Sequence, residues 1–229
     1  MKLGMPSVRI FCSGNLKFDS KPSAMLSKIE KDELKKEMGF ACDSFVLLGS
    51  STWQGEEEML IETMDLLRSK GLDCRLLLVP RHAERREKIK KILQDYPHNV
   101  RTESKQAKEG NLIYLADTTG ELKMFTQTAD LAFIGKSLPP NNGGQTPIDC
   151  AALNVPMVYG CNMTNFRRVC DTLEREQAAF KGNSKDEVIQ ELIRLANSKE
   201  LRVQTAENAK AWHNSNIGAT QKVFEMLMR

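Results

Sequence analysis

Short apolar segments alternate with longer, mostly polar segments along nearly the whole chain. The apolar segments have the length and residue types of buried strands, and helix formers dominate most segments between them. The predicted strands are Val8–Ser13, Phe45–Gly49, Arg75–Val79, Leu112–Leu115, Leu131–Ile134 and Pro156–Tyr159, with minor strands at Val100–Thr102 and Ala178–Phe180. Strands that alternate with helices at this spacing form a parallel sheet covered on both faces. The pattern therefore predicts an α/β fold, a Rossmann-like doubly wound parallel sheet with helices on both faces, in a single domain over residues 1–229.

The segments between the strands predict the helices. Their ranges are Ser23–Met38, Glu56–Lys70, Glu84–Gln94, Leu122–Ala129, Asn165–Glu176 and most of Ser184–Arg229, with a further helix that begins at Pro147. Three acids, Glu56 to Glu58, open the second helix, where stabilisation of the helix dipole is their default explanation. Near the C-terminus, Val223, Phe224, Met226 and Leu227 have helical spacing and predict an apolar face that is exposed if a partner surface is missing.

The segment from Asp130 to Gly160 reads as strand, glycine-rich loop, helix and strand. This order brings free backbone N–H groups and a helix N-terminus to the carboxyl edge of the sheet, which suits a phosphate. Asp149 lies in the first turn of that helix, where its carboxylate either stabilises the helix dipole or accepts hydrogen bonds from a ribose. A tight connection with a capping acid is the alternative interpretation.

Polar or glycine-rich turns follow four of the predicted strands. They are Ser50–Gly55, Pro80–His82, Asp117–Glu121 and Gly135–Asp149. Ligands of doubly wound sheets bind at the carboxyl ends of the strands. Four such turns exceed what packing requires, so the sequence predicts a ligand site along this edge.

Composition and missing motifs exclude several classes of function. The net charge of +3, from 33 basic and 30 acidic residues, is too balanced to indicate nucleic-acid binding. No apolar run approaches the roughly 20 residues that span a bilayer, and Met1–Ser13 lacks a secretory signal. The six cysteines contain no C-x-x-C pair, which favours reduced, buried thiols in a cytosolic protein. No His or Cys pair has metal-ligand spacing, and neither the dinucleotide fingerprint nor the P-loop is present.

Read together, the polar turns resemble one family. The matching motifs, in order, are GNLKFD, GSSTWQGEEE, VPRHAERR, ADTTGEL, ADLAFIGKSL, GGQTPIDCAALNVPMVYG and NF. They are similar to motifs of the Kdo (3-deoxy-D-manno-oct-2-ulosonic acid) transferases of lipopolysaccharide synthesis, which have the two-domain GT-B glycosyltransferase fold. The resemblance runs from about Val8 to the C-terminus and implies the C-terminal, donor-binding half.

The resemblance implies a substrate, partners and a location. CMP-Kdo would be the donor substrate and a lipid A precursor the acceptor, without a cofactor or a metal. The family's acceptor-binding domain, membrane anchor and carboxylate base precede the point where this chain starts. The full-length protein would act at the cytoplasmic face of the inner membrane, and the isolated domain would be inactive and would self-associate through its exposed interdomain face.

The family's functional residues can be carried over one by one. Lys17 matches a lysine that stabilises charge in the transition state, Arg81 and His82 match a nucleotide contact, and Thr119-Gly120-Glu121 matches a CMP-binding turn. Thr146, Pro147, Ile148 and Asp149 match the turn whose acid holds the ribose. Ser51, Lys136, Gly143, Gly144 and Asn165 are further candidates. The alternative for each charged residue is a solvated surface group or, for Glu121, a first-turn acid.

Several positions depart from the family pattern. Asp149 replaces a glutamate, Gln145-Thr146 replaces His-Asn, Lys136 replaces a glycine and Trp53 replaces a histidine. These changes leave the fold class intact and leave the donor sugar, and the number of sugars transferred, open. Two alternatives remain: another GT-B transferase or UDP-sugar epimerase domain, and a non-catalytic Rossmann-like binding domain.

Overall fold

The computed structural model describes Phe11, residues 13–19 and residues 24–228. Most of the first predicted strand, Val8–Ile10 and Cys12, lies outside the described residues, as does Ser23 at the predicted start of the first helix. Phe11 and Ser13 are not in a strand.

Seven parallel strands form one sheet within the described residues. Their bounds are Phe45–Thr52 (β1), Cys74–Pro80 (β2), His98–Val100 (β3), Ile113–Leu115 (β4), Leu131–Ile134 (β5), Met157–Gly160 (β6) and Phe180–Gly182 (β7). The order across the sheet is β3-β4-β2-β1-β5-β6-β7, and every pair of neighbours is parallel. This confirms the predicted doubly wound α/β fold. Chain order reverses between β1 and β5, so a crevice is expected where these two strands end.

Successive residues of the strands pack on opposite faces of the sheet. In β1, Val46 and Leu48 belong to one apolar cluster, whereas Phe45 and Leu47 belong to the other. Side chains of a strand alternate in direction, so a strand that is apolar at every position requires helices on both faces. Burial on both faces therefore explains the uninterrupted apolar runs in the sequence.

Nine α-helices lie in the described part of the chain. Their bounds are Lys28–Glu37 (α1), Glu56–Ser69 (α2), Arg86–Leu93 (α3), Leu122–Thr126 (α4), Ile148–Ala152 (α5), Arg167–Arg175 (α6), Lys185–Asn197 (α7), Lys199–Ser215 (α8) and Ala219–Leu227 (α9). Helices α2, α3 and α7 contribute to one cluster, whereas α1, α4, α5, α6 and α8 contribute to the other.

Side-chain capping explains where α1 begins and where the predicted C-terminal helix first divides. Helix α1 begins at Lys28 because Ser27 and Glu30 form a reciprocal capping box. The long C-terminal helix divides at Ser198, whose hydroxyl accepts the N–H of Leu201 at 3.2 Å, and again before Gly218.

The two minor strands are each shifted by two residues, to His98–Val100 and Phe180–Gly182.

The exposure of some side chains differs from prediction. Of the cysteines that the structure describes, Cys74, Cys150 and Cys170 are buried, but Cys42 and Cys161 are exposed, so the prediction of buried thiols is wrong for these two. The predicted exposure of α9 is confirmed for Phe224 (58%), Met226 (38%) and Leu227 (79%), while Val223 is half-buried. None of the helices in the described ranges has the length and apolar character needed to cross a membrane.

Candidate functional site

An open cleft of about 560 Å³ lies at the carboxyl edge of the sheet. Its residues come from the turns that follow β1, β2, β5 and β6 and from the 3₁₀ helix Leu16–Asp19. Of the described residues that line it, three are Lys or Arg and none is acidic, so the cleft suits an anionic ligand. The lining residues are Asn15, Lys17, Trp53, Arg81, His82, Lys136, Gly144, Gln145, Asn165, Phe166 and Val169.

The carboxylate of Glu56, at the start of α2, fixes the loop that follows β5. Its Oε2 accepts the backbone N–H groups of Trp53 at 2.8 Å and Lys136 at 2.9 Å, and its Oε1 accepts that of Ser137 at 2.9 Å. Glu56 is 1% exposed, and burial raises its pKa to about 7, whereas the N–H donors act in the opposite direction. The carboxylate therefore joins the turn after β1 to the loop after β5.

The three acids at the start of α2 thus have three different environments. Glu57 is fully buried and forms a two-fold ion pair with Arg85, at 2.7 and 2.9 Å. Glu58 is exposed. All three lie in the first turn of α2, as predicted, but Glu56 and Glu57 also have specific buried partners, which the helix dipole alone does not explain.

Trp53 forms the aromatic part of the cleft wall. Its ring lies edge-on to that of His82, with the centroids 5.0 Å apart, and Nζ of Lys136 is 4.5 Å from its centroid. Nδ1 of His82 lies 3.2 Å from Oε1 of Glu84. Arg81 is exposed, and its backbone N–H donates to the Thr52 carbonyl at 3.1 Å. Two cations and an aromatic surface therefore meet at the ends of β1, β2 and β5.

Lys17 reaches the cleft from a turn that is anchored to the C-terminal helices. Its neighbour Phe18 is buried, with its ring 5.1 Å from that of Trp212. The carboxylate of Asp19 accepts the backbone N–H groups of Gly218 and Thr220, which lower the Asp19 pKa. Nζ of Lys17 lies 5.2 Å from the centre of the Phe166 ring. The position of Lys17 therefore depends on α8 and α9.

The glycines after β5 allow two loops to approach closely. A Cβ atom on Gly143 would lie 2.7 Å from Nδ2 of Asn165, and one on Gly144 would lie 2.3 Å from Sδ of Met163. Both glycines also have φ in the left-handed region, at 110° and 73°. These positions require glycine for structural reasons, whatever ligand the loop binds.

Residues Thr146 to Asp149 lie at the start of α5, outside the cleft lining. Pro147 is the residue before the helix, and the Thr146 hydroxyl accepts the Ile148 N–H at 3.3 Å. The carboxylate of Asp149 is 3.2 Å from Nζ of Lys123. Asp149 is thus close to α4 as well as to the glycine loop.

The turn Thr119-Gly120-Glu121 also lies apart from the cleft lining. Both carboxylate oxygens of Glu121 accept from the guanidinium of Arg101, at 2.7 Å each, which lowers the pKa of Glu121. Arg101 is buried and also contacts Glu37 and the Tyr114 hydroxyl. Glu121 is therefore held by a protein cation, and its turn presents mainly backbone groups.

A neighbouring acid, Asp117, is paired as well. It is 2% exposed, accepts the Thr102 N–H at 3.0 Å and forms an ion pair with Arg86. Together Arg86, Arg101, Asp117 and Glu121 form a cluster, here called the paired-charge cluster. It joins the ends of β3 and β4 to the starts of α3 and α4.

The structure brings six of the predicted site residues into the cleft. They are Lys17, Arg81, His82, Lys136, Gly144 and Asn165. Ser51 and Gly143 lie beside it: a Cβ on Gly135 would meet the Ser51 carbonyl at 2.4 Å, and Gly143 packs on Asn165. The candidates at 119–121 and 146–149 do not line the cleft.

Sequence reasoning missed Glu56, Phe166, Val169 and Arg101 as contributors to this edge. Glu56 had one local signal, because an acid three residues after Trp53 can return a hydrogen bond to its N–H, as in a capping box. No group of three His, Cys, Asp or Glu side chains that could hold a metal ion occurs among the described residues.

No family model matches the chain. The chain is 29% identical over 230 residues to the 3-deoxy-D-manno-octulosonic acid transferase of Haemophilus influenzae, a match that covers 98% of this chain and 52% of that protein. It is 26% identical to the transferase of the same name from Rickettsia felis, over 93% of this chain and 44% of that protein. The chain is a relative of the Kdo transferases. The resemblance predicted from the motifs is thereby confirmed.

The shared fold is seen in a crystal structure of the C-terminal CMP-Kdo binding domain of WaaA from Acinetobacter baumannii. The TM-score is 0.71 at 24% identity, over 80% of this chain and 95% of that domain. The fold is therefore that of the C-terminal half of a GT-B glycosyltransferase. The chain spans about half the length of the Kdo transferases it matches, 52% and 44% for the two relatives named.

Proposed function

We propose that this chain is the donor-binding half of a Kdo transferase and that its cleft binds CMP-Kdo. The relation to Kdo transferases over 98% of the chain is the observation that carries this proposal. The cleft supports it independently, because CMP-Kdo carries a phosphate and a carboxylate, and the described lining residues include three cations and no acid.

The cleft residues have distinct roles in this proposal. Arg81 binds the phosphate through charge-assisted hydrogen bonds, and Lys17 stabilises the negative charge that develops on the leaving CMP. The backbone groups of Thr119–Glu121 and of Gly143–Asp149 hold the nucleotide from the far side, and Asp149 holds the ribose. The acceptor hydroxyl attacks the anomeric carbon of Kdo, and the bond from that carbon to the phosphate oxygen breaks.

The reaction needs a second domain that binds the lipid A precursor and supplies the base. That base takes the proton of the acceptor hydroxyl, while CMP leaves with the electron pair of the broken bond. The exposed apolar side chains of α9, Phe224, Met226 and Leu227, support a surface for this domain. We infer that the complete protein acts at the cytoplasmic face of the inner membrane, and that the half described here self-associates and is inactive alone.

Calorimetric titration with CMP, UDP and NAD tests the proposal. CMP is expected to bind, and UDP and NAD are expected to bind much more weakly or not at all. Arg81→Ala should weaken CMP binding by about 1.5–3 kcal/mol if Arg81 contacts the phosphate.

The matched control is Arg175→Ala, since Arg175 is an exposed arginine of α6 whose side chain is 70% exposed. Its CMP affinity should equal that of the unmodified protein. Preference for UDP over CMP would contradict the proposed donor, and unchanged affinity in Arg81→Ala would remove Arg81 from the phosphate site.

A further inference from the structure

Lys136 and Trp53 form a pair whose backbones are held by the same atom. Oε2 of Glu56 accepts the N–H of Trp53 at 2.8 Å and the N–H of Lys136 at 2.9 Å. The ammonium of Lys136 lies 4.5 Å from the centroid of the Trp53 ring, within cation–π range. Because one buried oxygen fixes both backbones, the protein itself sets the position of the ammonium over the ring.

The backbone of Lys136 has a conformation that lysine rarely adopts. Its φ of 59° lies in the left-handed region, which glycine adopts without strain. Its carbonyl accepts the Gly144 N–H at 2.9 Å, so the conformation is held from both sides. Strained residues that persist where glycine would fit are found at functional sites.

Within the described residues, no acid neutralises the charge of Lys136. In the part of the chain that the structure describes, no carboxylate forms an ion pair with Lys136 or Arg81, and both side chains line the cleft. By contrast, Lys123, at the other side of the glycine loop, pairs with Asp149 at 3.2 Å. Cations that share a cleft without an acid repel each other, and an oxyanion between them relieves this repulsion.

We propose that Lys136, positioned by Trp53, binds an oxyanion of the sugar-nucleotide donor and is a specificity-determining residue of the cleft. This inference rests on the proposed function and deepens it. The oxyanion is either the donor phosphate or a carboxylate on the donor sugar. In the second case the cleft selects donors whose sugar carries a negative charge of its own.

Titration of the unmodified protein, Lys136→Met and Lys136→Gly tests the inference. The probes are inorganic phosphate, CMP, a CMP-linked ulosonic acid and, as a probe without charge, cytidine. Binding is followed by calorimetry and by tryptophan emission, with Trp53→Phe to identify the contribution of Trp53. Anion binding at Lys136 changes the emission of a ring only 4.5 Å from Nζ.

Both Lys136 variants should bind the anionic probe about tenfold more weakly, which is about 1.4 kcal/mol, with no change for cytidine. Loss with inorganic phosphate and CMP identifies the phosphate, and loss with the CMP-linked ulosonic acid alone identifies the carboxylate. Lys136→Gly should unfold at the same or a higher temperature because it relieves the left-handed strain. Weaker binding without lower stability is a result that a merely structural lysine would not give.

The exposed Lys70 at the end of α2 provides the control, and Lys70→Met should leave every affinity unchanged. Unchanged affinity for all anions in both Lys136 variants would overturn the inference, as would the absence of anion binding by the unmodified protein. If UDP binds better than CMP, the proposed function is contradicted, but the inference about Lys136 is not. UDP then replaces CMP in the comparison, and the same tenfold loss is expected for the Lys136 variants.

Discussion

Two parts of the carboxyl edge use charge in opposite ways. In the paired-charge cluster beside β3 and β4, Arg101 is joined to Glu121 and Arg86 to Asp117. In the cleft at β1, β2 and β5, Arg81 and Lys136 face an opening that no acid of the described chain lines. The two buried acids at the start of α2 do not pair with these cations, since the oxygens of Glu56 bind backbone N–H groups and Glu57 pairs with Arg85.

This difference indicates that the two parts of the edge have different roles. Charges that satisfy one another hold turns together and offer little to a ligand. Cations without acidic partners raise the local concentration of anions and bind them. We therefore expect substitutions in the paired-charge cluster to change stability, and substitutions in the cleft to change ligand affinity. Glu56 belongs to neither group, because its carboxylate holds the backbone of two loops that form the cleft.

The largest expected effect is that of Glu56→Ala on stability. The substitution leaves the buried N–H groups of Trp53, Lys136 and Ser137 without an acceptor, and we expect the free energy of unfolding to fall by roughly 3–5 kcal/mol. Urea unfolding followed by circular dichroism measures the change. Glu58→Ala, on the exposed side of the same helix, should cost less than about 0.5 kcal/mol. Equal losses in the two variants would mean that Glu56 stabilises only the helix dipole.

The second prediction concerns the pH dependence that Glu56 causes. Its pKa is raised from 4.5 to about 7 by burial, so the folded state favours the protonated carboxyl. The stability that this group contributes is complete below pH 4.5 and is lost as the pH rises through about 7. The free energy of unfolding, taken relative to Glu56→Gln, should fall by about 3 kcal/mol across that range.

Urea unfolding of both proteins at several pH values between about 4 and 8 tests this prediction, because groups that are common to both cancel in the difference. A difference that is flat or that rises with pH would show that the N–H donors outweigh burial. Glu56 would then be ionised throughout.

The smallest effect is expected for Glu121→Gln on ligand binding. Both oxygens of Glu121 face Arg101, so CMP affinity should change by less than about 0.5 kcal/mol, while the free energy of unfolding should fall by about 1–3 kcal/mol. Calorimetry and urea unfolding give the two values. A tenfold loss of CMP affinity at unchanged stability would place the Glu121 carboxylate on the ligand and end the contrast between the two parts of the edge.

The sequence was a good guide to the fold because apolar runs and helix caps are local signals. The bounds of β5 agree with prediction to the residue, and those of α2 and β2 to within one residue at each end. The shape of the site depends instead on contacts between distant segments. Glu56 meets Lys136 across 80 residues of sequence, and no local pattern shows which of three consecutive acids does so.

The same limit applies to Arg101 and Asp19. Arg101 lies in a segment that the sequence assigned to a minor strand, yet its side chain binds Glu37 in α1 and Glu121 directly before α4. Asp19 was noted only as part of the GNLKFD motif, and its contact with Gly218, directly before α9, spans 199 residues. Motif matching found the cations of the cleft, but the buried acids that position the loops needed three-dimensional information.

The position of β1 in the middle of the sheet has a consequence for how the chain folds. One edge of β1 pairs with β2, the next strand along the chain, but the other pairs with β5, which follows three further strands and three helices. Until β5 has been synthesised and docked, the apolar strand Phe45–Thr52 keeps one row of backbone groups unpaired. Such an edge templates association with other chains, and parallel pairing over a long sequence separation is slow. The nascent chain is therefore prone to aggregate until Leu131–Ile134 arrives, and conditions that supply a chaperone across that interval should raise the yield of folded protein.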